Sequence, residues 1–186
     1  MAPQAAPLGI ALVAGLKFPN VSGSNLLRQK VTLPGDFQGE LNLVFIAFQQ
    51  WHQAWVNSWL PTARYLEETY PGVQYYETPV IYRMNKLSQT FINEGMRAGI
   101  PNRTSRQKTI TLYVDKEPFR RALDIDNEET IWVMLLDSKG NLLWRDDGAF
   151  SQEKGQALIS FTQEYFSSRQ PVNPDIKQGD QPLGME

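Results

Sequence analysis

The sequence predicts an α/β protein, a three-layer sandwich in which a mixed central sheet is covered by helices. Three observations carry that expectation. Residues 41–48 form a near-continuous apolar run, as a strand buried on both faces requires. An aromatic-rich helical stretch follows it at once, opening with Trp51, His52 and Gln53. Beyond that, strand-like and helix-like segments alternate in the order β-α-β-α-β-α-β-β-α, which implies parallel crossovers ended by a hairpin and a last helix.

The elements follow in chain order. Residues 29–33 alternate and close an opening hairpin, with Gly35 and Gly39 punctuating the turns around it. After the strand at 41–48, residues 51–70 read as a helix in which Pro61 implies a kink and Pro71-Gly72 a stop. Residues 73–81 are a second strand, whose far end Pro79 should weaken. A helix over 86–97, a strand over 109–114 and a short helix over 118–123, opened by Pro118, come next. Residues 131–136 and 142–145 flank the turn Asp137-Ser138-Lys139-Gly140-Asn141 as a hairpin, and 152–166 is the last helix. The domain is expected over 17–168, with residues 1–16 an N-terminal extension and 169–186 a flexible, disordered tail poor in large apolar side chains.

Composition narrows the function classes. The chain has 186 residues, 41% of them hydrophobic and 11% aromatic, which indicates a packed core. A net charge of −2 argues against a general nucleic-acid binder. No apolar run approaches the ~20 residues that span a bilayer. Residues 8–16 have the length of a signal-peptide apolar region but lack preceding positive charges, and an Arg-rich leader is absent; an edge-packing segment is the expectation. Charge is unevenly placed: residues 83–108 carry Arg83, Lys86, Arg97, Arg103, Arg106 and Lys108 against the single acid Glu94. Such a segment suits anionic lipid headgroups or the acidic loops of a partner.

The chain contains no cysteine. A strand followed directly by a turn and a helix is where thioredoxin-type proteins hold Cys-x-x-Cys, because the helix dipole lowers the thiol pKa. Gly15-Leu16-Lys17-Phe18-Pro19-Asn20 resembles the opening of redoxin domains, and the spacing from Phe48 to Pro61 resembles that between a thioredoxin's strand-end aromatic and its helix proline. The two cysteine positions then fall on Gln53 and Val56, or on His52 and Trp55 in a second register. Thr130 stands where thioredoxins carry a cis-proline. The resemblance implies a thioredoxin-like fold of the larger, redoxin type without thiol redox chemistry.

A further resemblance is carried by residues 18–26, by the turn Gly95-Met96-Arg97-Ala98-Gly99-Ile100-Pro101-Asn102-Arg103, and by Leu142-Leu143-Trp144-Arg145-Asp146-Asp147-Gly148. In their order and spacing these segments are similar to the assembly factors for the membrane (Fo) sector of the mitochondrial F-type ATP synthase. That resemblance implies a chaperone, without cofactor, for a newly inserted membrane-embedded subunit. It would act peripherally, on the cytoplasmic face in a bacterium or the matrix face of the mitochondrial inner membrane. Fold logic and charge make Trp51, His52, Gln53, Arg97, Arg103, Arg106 and Lys108 the candidate partner-binding residues. Unpaired amides at the helix start would add an acidic or carbonyl contact. Two alternatives stay open: a cysteine-independent redoxin-fold enzyme or binder of a small anionic ligand such as glutathione, and an interaction domain of another membrane complex.

Other residues read more simply. Trp51, Trp55 and Trp59 share one helix stripe, and burial is expected for the last two. His52 is the sole histidine, and Ser58 at i+6 turns away from it, so neither a nucleophile–base pair nor a metal site is expected. Residues 124–129 read as an acidic solvated turn rather than a calcium loop. Asp146 and Asp147 are adjacent rather than facing, and Gly95-x-x-x-Gly99 lacks the spacing of a phosphate loop.

Overall fold

The computed structural model describes residues 15–169, so the readings for residues 1–14 and 170–186 lie outside the described residues. Among the described residues seven strands form one sheet: β1 (Val21–Asn25), β2 (Lys30–Leu33), β3 (Leu41–Ala47), β4 (Val73–Tyr82), β5 (Ile110–Val114), β6 (Trp132–Asp137) and β7 (Leu142–Asp147). Their order across the sheet is β2-β1-β5-β4-β3-β6-β7. β3, β4 and β5 run parallel, and the hairpins β1–β2 and β6–β7 join antiparallel on either side. The helices are α1 (Gln53–Thr69), α2 (Lys86–Gly99), α3 (Arg103–Lys108), α4 (Lys116–Ala122) and α5 (Gln152–Ser167).

The sheet separates two apolar cores, which makes the expected three layers. Leu43, Phe45 and Leu135 pack with Trp59 and Leu66 of α1 and Leu158 of α5. On the other face Val44, Ile46 and Met134 pack with Phe18, Phe37 and Phe119 of α4. Alternate residues of β3 thus enter opposite cores, which is why its sequence is apolar without interruption. Trp59, fully buried, also donates from Nε1 to the Gly148 carbonyl at 2.9 Å and so fixes α1 to the end of β7.

Three local readings need revision. β4 continues through Pro79 to Tyr82, because pairing with β3 ends at Ala47–Pro79 and pairing with β5 begins at Val80–Leu112. The proline sits at the change of partner, where a missing N–H is tolerated. α4 starts at Lys116, which puts Pro118 in its first turn, where no amide hydrogen bond is required. The basic turn after Pro101 contains a helix, α3, capped by the Asn102 side chain accepting from the Ser105 amide.

The candidate binding surfaces at two ends of the sheet

Because β3, β4 and β5 are parallel, their C-terminal ends share one edge of the sheet. The start of α1 lies there, preceded by a 3-10 turn over Gln50–His52. Trp51 is about half exposed and Gln53 is exposed, but His52 is completely buried. His52 is therefore not a surface contact, which corrects its assignment among the partner-binding residues. Its Nδ1 accepts from the Phe48 amide at 3.2 Å, so the remaining proton of the neutral ring is on Nε2. Nε2 has no hydrogen-bond partner among the described residues. The imidazole stacks on Trp55 at 5.6 Å and meets Trp51 edge-on at 4.2 Å. Burial holds the His52 pKa below its usual value; the Glu129 backbone and carboxylate oppose this, and nearby Lys116 adds to it.

The mouth of α1 is filled by rings. Trp55 is half-buried rather than fully buried, packing edge-on against Trp51 at 4.9 Å. The 3-10 turn also uses amides expected to be free, with His52 donating to the Gln49 carbonyl and Gln53 to the Gln50 carbonyl. Gln53 bonds from Nε2 to Glu77 Oε2 at 2.8 Å. Glu77 is buried on β4, and desolvation raises its pKa, against smaller opposing effects of the Gln53 hydrogen bond and Arg64. Ser58 donates to the Trp55 carbonyl and accepts from the Phe150 amide, so its hydroxyl braces the backbone. The one cis peptide among the described residues, Leu33–Pro34, lies outside the Thr130 segment.

Sequence reasoning missed a charged cluster at this edge. Lys116 is buried, pairs with Glu128 Oε2 at 2.8 Å, and lies over the rings of Tyr82 (4.6 Å) and Phe48 (5.5 Å). Arg120 reaches the same carboxylate at 3.5 Å, and Asp124 pairs with Arg145 at 3.2 Å. Part of the acidic turn is thus tied into the fold rather than solvated. Nothing local in the sequence marks Glu128 from its acidic neighbours.

The remaining candidates lie at the opposite edge. Lys108 is buried, not free: its Nζ pairs with Glu67, bonds Gln74 Oε1 at 3.2 Å and sits 4.3 Å from the centre of the Tyr75 ring. This corrects its assignment as a partner contact. Arg106 donates to the Arg97 and Ile100 carbonyls and so closes the C-terminus of α2. Arg97 is half-buried, 3.8 Å from Glu94, and Arg103 is exposed. From Gln74 to Tyr82, β4 spans about 26 Å at ~3.3 Å per residue. The structure therefore brings Trp51, His52 and Gln53 together, and Arg97, Arg103, Arg106 and Lys108 together, but holds the two groups apart.

An open groove of about 600 Å³ at the Lys108 edge is lined by Lys30 and Lys108 but also by Asp36 and Glu67, so it offers no consistent charge to an anionic ligand. Among the described residues no group of three or more His, Asp or Glu side chains could hold a metal ion. No described helix is long and apolar enough to cross a membrane.

Comparison with known proteins adds the family. Several solved structures resemble the fold. A thiol:disulfide interchange protein from a Bacteroides species has a TM-score of 0.53 at 15% identity, covering 84% of this chain and 94% of its own. BsSco, of the Sco family of cytochrome c oxidase assembly proteins, gives 0.53 at 14% identity, covering 86% and 98%. Copper-bound ScoI of Arabidopsis thaliana gives 0.53 at 13% identity, covering 79% and 98%. At such identities the likeness defines the fold alone, which is thioredoxin-like of the redoxin type. No curated protein matches the sequence. The model of the ATP10 protein family, however, matches residues 12–164. In the fold, the segments that carried the resemblance to assembly factors contain β1, span the end of α2 and its turn into α3, and build β7, and the Leu26 amide of the first donates to the Arg106 carbonyl beside the second. The chain belongs to the ATP10 family of ATP synthase assembly factors.

Proposed function

We propose that the protein is a non-catalytic chaperone that binds a membrane subunit of the ATP synthase Fo sector during its assembly. The observation that carries this reading is the family match over residues 12–164, on a chain with no cysteine. Supporting it, the mouth where a redoxin would hold its thiols is occupied by His52 between Trp51 and Trp55. Of the candidate contacts, Trp51 and Gln53 at one edge and Arg103 at the other are exposed, and Arg97 and Arg106 are partly so. Because the edges lie so far apart, the mouth and the basic edge are two separate contacts, and Trp51 with Gln53 is the one we assign to the client. The site of action is peripheral to the membrane in which that client is inserted.

Crosslinking of the full chain in native membranes, followed by affinity capture and mass spectrometry, tests this. Fo subunits should be recovered, and their yield should fall in Trp51→Ala. A reproducible set of unrelated proteins without Fo subunits would refute the reading.

A further inference from the structure

Helix α2 is mounted with polar side chains toward the sheet and large apolar ones toward solvent. The Tyr113 hydroxyl shares its one proton between the Gln89 carbonyl at 3.1 Å and Asn93 Oδ1 at 3.0 Å, and Asn93 Nδ2 lies 3.4 Å from Ser24 Oγ. Ile92 and Met96 beside them are only half-buried, and α2 contributes no buried residue at all. On the outer side, one turn apart, Leu87 is 85% exposed and Phe91 82%. Together Leu87 and Phe91 offer on the order of 300 Å² of apolar surface, the size at which a patch marks a contact site. Further along the helix Gly95 and Gly99 have open space where a Cβ would stand.

The charges nearby select the occupant. Arg83 and Lys86 are exposed and form no ion pair with any described residue. The only acid between residues 83 and 108, Glu94, is already held by Arg28 at 3.0 Å and Arg97 at 3.8 Å. A second copy docked through the same helix face would offer Arg83 and Lys86 no free acid from its own residues 83–108, since Glu94 there is already paired. The ends of the described chain lie elsewhere: Lys17 bridges to Asn141 beside β7, and Arg169 pairs with Glu40 before β3. An apolar helix face flanked by unpaired cations matches an interface between acyl chains and anionic headgroups.

We propose that α2 docks the protein on an anionic lipid bilayer, with Leu87 and Phe91 entering the acyl boundary and Arg83 and Lys86 meeting the headgroups. The proposal stands independently of which subunit the protein chaperones.

Flotation of the full chain tests it, with vesicles of neutral phosphatidylcholine alone or with roughly a third phosphatidylglycerol added to supply the anionic charge. The unaltered protein should float with the anionic vesicles and bind the neutral ones far more weakly. L87S/F91S should abolish flotation while keeping the melting temperature, since neither side chain lies in a core. R83Q/K86Q should weaken binding to anionic vesicles about five-fold for each cation removed. If the double serine variant unfolds, Phe91→Ala alone gives the same reading with a smaller loss. Equal binding to both vesicle types, no binding to either, or full binding by the apolar-to-polar variants would each overturn the proposal. Loss of Fo-subunit capture by L87S/F91S with vesicle binding intact would assign the face to a protein and overturn it too. Vesicle binding without any Fo capture would instead refute only the chaperone reading.

Discussion

Lys108 gives the most direct test of whether its charge serves the fold or a partner. Its side chain is 10% exposed and that of its partner Glu67 is 25% exposed, so the pair is largely withdrawn from water. Removing one member of a fully buried pair costs about 3–5 kcal/mol, because the other charge is left uncompensated. The partial exposure of Glu67 lets water recover some of that loss, and we expect about 2 kcal/mol for Lys108→Ala. In a domain of this size that corresponds to about 6 °C in melting temperature. Urea melts of Lys108→Ala, Glu67→Ala and the double variant give the coupling directly. Glu67→Ala should relieve much of the Lys108→Ala loss, since the orphaned carboxylate is then gone. A Lys108→Ala protein as stable as the original, with no coupling to Glu67, would refute the structural role and return this lysine to the surface.

Glu77 and His52 make opposite predictions with pH. Burial raises the Glu77 pKa, so its ionised form opposes folding above that pKa, and the penalty disappears as pH falls toward 4.5. Glu77→Gln should therefore be more stable than the original at pH 7, with the difference closing near pH 4.5, as read by thermal melts across pH. Burial lowers the His52 pKa, so the unfolded chain takes up the proton first and stability falls as pH drops below 6.5; His52→Gln should lack that component of the acid slope. Trp59→Phe should cost about 2 kcal/mol in urea unfolding, from lost volume and a Gly148 carbonyl left without its indole donor.

The elements with a strong period were legible in the sequence. The apolar run of β3 sets both cores, and the alternation of segments around it gave the layer order. α3 was not legible, because six residues are too few for a helical period and Pro101-Asn102 read as a turn. The burial of Lys108 was invisible for another reason: its partner Glu67 lies 41 residues away in the chain, on α1. His52 read as a polar residue at a helix mouth; its place between Trp51 and Trp55 was the only local hint that rings would enclose it. For α2 the sequence shows apolar side chains at 87, 91, 92 and 96, on more than one face. Only the placement over Tyr113 settles that Leu87 and Phe91 point outward.

The length of β4 acts as a ruler on whatever the protein holds. A molecule following β4 from Gln74 to Tyr82 would have to bridge about 26 Å, which takes roughly eight extended residues or seventeen helical ones. A tripeptide-sized metabolite is far too short to do so. Simultaneous occupation of both ends is thus reserved for an elongated polypeptide, and anything smaller must choose a side.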